Sequence, residues 1–107
     1  MKILLIAPCP ENNQRHDTMA IPHLTLSLIA GMTPEEHEVT ITEEVHNEII
    51  DFDQDVDIVG ITIMTQTAIR GYEIANEFKK RDKIVVFGGI HATVLPNEAI
   101  MFGDAVV

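Results

Sequence analysis

Three short apolar runs, at residues 3–7, 58–63 and 84–87, constrain the fold of this chain more than anything else in it. Each has the length of a strand and none alternates with polar residues, which is the pattern of strands covered on both faces in a parallel sheet. Pro8 and Pro10 end the first run, and Gly88-Gly89 close the third. Residues 38–42, Glu-Val-Thr-Ile-Thr, alternate as a more exposed strand does, and residues 104–107 read as the beginning of a fifth. Between the strands, Pro22 suits the first turn of a helix whose face would carry Ile21, Leu24, Leu28 and Ile29 until Gly31 stops it. Ala68, Tyr72, Ala75 and Phe78 recur at helical spacing, and Lys79, Lys80 and Arg81 favour the C-terminal end of that helix. Pro96 opens a short helix expected to run through Met101. The acidic stretch from Glu43 to Asp57 has few residues to bury and reads as a loop with at most one helical turn. Strands and helices alternate, so right-handed crossovers predict an α/β, flavodoxin-like (Rossmann-like) doubly wound parallel sheet of five strands. The predicted order is 2-1-3-4-5, with the final helix missing.

Charge narrows the partners. Lys and Arg number 7 against 17 Asp and Glu, a formal net charge of −10. Such a field repels phosphate backbones and anionic headgroups, which speaks against nucleic acid and membrane surfaces. No apolar run approaches the ~20 residues of a membrane span. Cys9 is the single cysteine, so an intrachain disulfide and an all-cysteine metal centre are excluded, and a reducing cytoplasm fits. The five histidines, at 16, 23, 37, 46 and 91, lack metal-ligand spacing. A chain of 107 residues makes one domain or part of one. The uncovered edge of the last strand predicts self-association into a homo-oligomer.

Ligands of such sheets lie over the carboxyl ends of the strands, where the order reverses. Three loops meet there, at residues 8–21, 62–67 and 88–96. Gly88-Gly89 would let the backbone approach a ligand closely, although two glycines after a strand can equally make only a tight turn. Thr62, Thr65 and Thr67 offer hydroxyls, which can also cap the following helix. Gly60 leaves room for a group to approach the face of its strand. Neither a G-x-G-x-x-G turn nor a G-x-x-x-x-G-K-[ST] loop is present, removing the dinucleotide and P-loop readings. A catalytic role for Cys9 has little support with proline on each side and no positioned histidine.

The segment Val85-Val-Phe-Gly-Gly-Ile-His-Ala-Thr-Val-Leu-Pro-Asn-Glu98, with Asp57-Ile-Val-Gly-Ile-Thr62 and the Pro-rich loop before Ile21-Pro22, resembles the N-terminal cobalamin (vitamin B12)-binding domain of cobalamin-dependent radical S-adenosylmethionine enzymes. The resemblance implies that residues 1–107 form a cobalamin-binding domain, a fragment of a longer chain. Thr62, Met64 and Thr65 would form the first contact loop. Gly88, Gly89, Ala92 and Thr93 would line the second, with Ile90 and His91 in the same cofactor-binding segment. The D-x-H-x-x-G motif that supplies a histidine to cobalt in other cobalamin domains is absent, so cobalamin is expected without histidine ligation. The C-x-x-x-C-x-x-C run of the radical family is absent too. S-adenosylmethionine and the 4Fe-4S cluster would belong to a radical S-adenosylmethionine domain in cis, where methyl transfer or related chemistry would occur. The competing reading is a non-enzymatic flavodoxin-like interaction module that docks a basic partner on its acidic surface.

Overall fold

A strand of continuous apolar residues is stable only where neighbours satisfy its backbone on both sides and side chains cover both faces. The computed structural model describes residues 1–9, 29–44 and 49–107 and puts the three apolar runs in that position. Strand β1 (Lys2–Ala7) lies between β2 (Glu38–Glu43) and β3 (Ile58–Thr62). Strand β3 pairs with β4 (Ile84–Gly88), and β4 with the two-residue β5 (Ala105–Val106). All pairs are parallel and the spatial order is 2-1-3-4-5, the flavodoxin-like α/β sheet that the sequence predicts.

The period of two along each strand divides the core. On one face Leu4, Ile6, Val59, Ile61, Val85 and Phe87 pack under helix α1 (Ala68–Lys79), which buries Tyr72, Ile74, Ala75 and Phe78. The largest fully buried side chains, led by Phe78 and Phe87, belong to this layer. Each contributes about 1.5–3 kcal/mol through its burial. On the opposite face Leu5 and Ala7 pack with Ile3, Ala30, Val39 and Ile41 in a smaller cluster. Gly60 faces that cluster, and a Cβ there would lie 2.9 Å from Leu5 Cδ2. The room left by this glycine is therefore taken by Leu5 and not by a ligand.

Several boundaries differ from the sequence reading. Residues 29–32 are helical, so Gly31 lies inside the helical stretch, and Ile29 is 46% exposed. Ile21, Pro22, Leu24 and Leu28 lie outside the described residues, as does most of the first loop. The segment after Gly89, expected to be a loop, forms the short helix α2 (Ile90–Val94). Thr93 N–H and Thr93 Oγ1 both donate to Gly89 C=O, at 3.0 and 2.9 Å, which winds the chain immediately past the glycine. Pro96 does open a helix, α3 (Pro96–Ala99), which gives way to turns before Met101. No helix among the described residues is long and apolar enough to cross a membrane.

Candidate functional site

Register brings the predicted loops together. Thr62 and Gly88 are partners at the carboxyl ends of β3 and β4, so they project to the same face of the sheet. Beyond them, Ile63 N–H donates to Gly88 C=O at 2.9 Å and His91 N–H donates to Ile63 C=O at 3.1 Å. The turn after β4 is thus bonded directly onto the end of β3.

The two glycines of that turn have different tasks. Gly89 has φ +97°, a conformation that side chains rarely adopt, and a Cβ there would come within 2.7 Å of both Ile63 O and Thr62 Oγ1. It serves the turn. At Gly88 no described atom lies within 4 Å of where a Cβ would stand. Among the described residues, the open space over the strand end belongs to Gly88, beside Thr62.

The threonines divide in the same way. Thr67 is buried, accepts Met64 N–H at 2.9 Å and donates to Met64 C=O at 3.2 Å, closing the 3-10 turn Thr65–Thr67 that leads into α1. This is the capping role that strand-end hydroxyls often play. Thr65 is exposed and lies 3.3 Å from His91 Nδ1. Met64 is half-buried, and Ile90 is 66% exposed next to Gly89. Thr93 is exposed, Ala92 has no accessible surface and His91 is buried. Of the nine predicted contact residues, Thr62, Met64, Thr65, Gly88, Gly89, Ile90 and Thr93 therefore reach the surface. Ala92 and His91 lie behind them.

His91 is fixed at both ring nitrogens. Nε2 lies 2.6 Å from Glu98 Oε2, on α3, and the same oxygen accepts Tyr72 Oη–H at 2.7 Å from α1. The His91 bond, then that from Tyr72, holds the Glu98 carboxyl below the usual carboxylate range. Burial, then the bond to Glu98, pushes the Tyr72 phenol well above its ordinary value. The Tyr72 ring stacks on Phe102 at 4.1 Å and meets Phe87 edge-on at 5.5 Å, so its hydroxyl projects from a fixed position. Helical spacing identifies Tyr72 as core-facing, but nothing in the sequence pairs its hydroxyl with Glu98. Among the described residues no group of three or more His, Cys, Asp or Glu could hold a metal ion.

A second tie lies toward β1 and β2. Glu44, 3% exposed, accepts Cys9 N–H at 3.0 Å and receives Arg70 Nε and Nη2 at 3.1 and 2.7 Å. Cys9 is buried, consistent with an inert thiol. Sequence reasoning did not find this pair, whose members are 26 residues apart and follow no periodicity. Two concavities of the described surface lie elsewhere. One of about 250 Å³ lies at the amino ends of β1 and β2, lined by Lys2, Glu38, Thr40, Gln54 and Asp55. It is small and charged, and it sits at the edge of the sheet opposite to the one where ligands of this topology lie.

The B12 binding domain family matches residues 19–107. Bacteriochlorophyllide d C-8(2)-methyltransferase of Chlorobaculum tepidum is 42% identical over 85 residues, covering 79% of this chain and 19% of that protein. Bacteriochlorophyllide d C-12(1)-methyltransferase of the same organism is 32% identical, covering 99% of this chain and 24% of that protein. An uncharacterised methyltransferase of Pyrococcus horikoshii is 35% identical, covering 91% of this chain and 23% of that protein. The chain spans about a fifth to a quarter of the length of these curated relatives. No solved structure matches.

Proposed function

The chain belongs to the B12 binding domain family, and on that premise we propose that it is the cobalamin-binding part of a longer radical S-adenosylmethionine methyltransferase. The observation that carries the reading is the space over Gly88 left open by the described residues, flanked by Thr62 and close to the exposed Thr65 and Ile90. A corrin is a broad, largely uncharged body with carboxamides on its rim. It needs a surface of small and apolar residues with a few hydrogen-bonding groups, and these residues fit that need. When bound, cobalamin supplies a cobalt centre for methyl transfer.

The residues of this chain would bind and orient. Gly88 admits the cofactor close to the backbone, Gly89 fixes the turn, and Thr62, Met64, Thr65, Ile90 and Thr93 provide the contact surface. His91 and Ala92 support it from beneath. Because the D-x-H-x-x-G motif is absent and His91 meets Glu98 and Thr65 through its two nitrogens, we infer that cobalamin binds without histidine on cobalt. S-adenosylmethionine and the 4Fe-4S cluster belong, in this reading, to a catalytic domain elsewhere in the longer chain. Support comes from the methyltransferase names of relatives four to five times as long. A cytoplasmic location agrees with a single, buried cysteine.

Titration with hydroxocobalamin followed by visible absorbance tests the reading. Saturable spectral change at tens of micromolar protein is expected, and isotope-resolved electron paramagnetic resonance of the Co(II) form should show no imidazole nitrogen. Imidazole coordination would contradict the inference about His91. Pairing of two copies through the outer edge of β5 belongs to the same proposal. A strictly monomeric particle in light scattering at high concentration would remove it.

A further inference from the structure

The chain of polar atoms behind the contact surface has a direction. Tyr72 has a single hydroxyl hydrogen, and it goes to Glu98 Oε2. Glu98, as a carboxylate, can only accept, so His91 must present Nε2–H to it at 2.6 Å. If the ring carries that one proton, Nδ1 holds a lone pair that can accept the Thr65 hydroxyl hydrogen across 3.3 Å. The hydroxyl hydrogen of Thr65 would then turn inward, and its exposed side chain would offer lone pairs outward.

We propose that Glu98 and Tyr72 are positioning residues that act through His91 to fix Thr65 as a hydrogen-bond acceptor, selecting a ligand group that donates N–H. This rests on the cobalamin reading, in which primary carboxamides on the corrin rim are the N–H donors available. A ligand carbonyl or phosphate oxygen placed at Thr65 would meet lone pairs and lose its hydrogen bond. The same network joins three separate elements, with Tyr72 on α1, Glu98 on α3 and His91 on α2. It fixes the height of the Gly88–Thr93 turn against the end of β3 as well as the polarity of Thr65.

Histidine labelling of the full chain reads the direction by long-range proton–nitrogen correlation. The proposal requires the Nε2–H tautomer, and either the Nδ1–H tautomer or a doubly protonated ring overturns it. In hydroxocobalamin titrations, Thr65→Val and Glu98→Ala should each weaken binding about tenfold, and Tyr72→Phe about threefold. Thr65→Ser should restore most of the affinity lost in Thr65→Val. Side-chain exposure of 46% at Glu98, and the retained ring in Tyr72→Phe, should keep these variants foldable, to be checked by circular dichroism. Wild-type affinity in Glu98→Ala would overturn the proposal. A corrin whose amides are replaced by methyl esters should bind Thr65→Val and wild type equally, and an undiminished loss in Thr65→Val would overturn the choice of N–H as the recognised group. If the wild type binds no cobalamin, the cofactor reading falls and takes the ligand assignment with it. The tautomer then upholds or overturns the tie by itself.

Discussion

Glu44 and Glu98 each tie a loop at the carboxyl edge of the sheet, yet Glu44 is 3% exposed and paired with an arginine, whereas the Glu98 side chain is 46% exposed and shared by a histidine and a phenol. The difference lies in what remains when one partner is removed. Without Arg70, Glu44 is a carboxylate out of water with a single described amide donor, Cys9 N–H. Without His91 or Tyr72, water can reach Glu98. The first tie therefore bears on whether the β1–β2 end of the edge folds, and the second on how the β3–β4 end presents its surface.

Breaking the first tie should produce the largest effect. Arg70→Met is expected to cost about 3–5 kcal/mol, because it strands a buried charge. Urea unfolding measures this, and a loss near zero would show that Glu44 is neutralised or hydrated. Replacing both partners, as in Glu44→Leu with Arg70→Met, should recover much of the loss. At the other end, Gly89→Ala should cost about 2 kcal/mol, from its left-handed φ and from the contacts of the new Cβ with Ile63 O and Thr62 Oγ1. Its neighbour separates folding from binding. Gly88→Leu meets no described atom where its Cβ would stand and should change stability by less than about 0.5 kcal/mol while abolishing cobalamin binding.

The smallest effect concerns pH. The Glu98 carboxyl is depressed in the folded chain, so its tie contributes fully above the unfolded value of about 4.3 and is lost as pH falls through the lower folded value. Tyr72 has the opposite sign. Its raised phenol favours the folded chain below about pH 10, and that contribution is lost as pH rises toward the folded value. Amide exchange in residues 88–93 should therefore quicken in acid before the core strands open. Exchange that stays uniform between that turn and β3 would show that Glu98 does not hold the loop.

The sheet was legible because its signal is local. Continuous apolar runs at residues 58–63 and 84–87 need burial on both faces, and Ala68, Tyr72, Ala75 and Phe78 mark one helical face without reference to the rest of the chain. Adjacent strand ends followed from topology, which is why Thr62 and Gly88 could be expected side by side. The division of labour between Gly88 and Gly89 was not legible, since it depends on a φ angle and on atoms of β3. Gly60 misleads for the same reason, because the neighbour that occupies its space, Leu5, is 55 positions away in sequence and one strand away in register. The helix Ile90–Val94 was missed because Ile, Thr and Val are weak helix formers, and its winding depends on Thr93 returning to Gly89. Both carboxylate ties join partners 26 residues apart, Glu44 with Arg70 and Tyr72 with Glu98, and no sequence period specifies them.

The central claim is that the open strand end at Gly88 receives cobalamin. Parallel titrations of wild type and Gly88→Leu with hydroxocobalamin test it most directly, with melting curves recorded on the same samples. The account predicts saturable absorbance changes for the wild type at tens of micromolar protein, none for Gly88→Leu, and superimposable melting of the two apo proteins. A wild type without spectral change, or a Gly88→Leu chain that binds as tightly as the wild type, would contradict it.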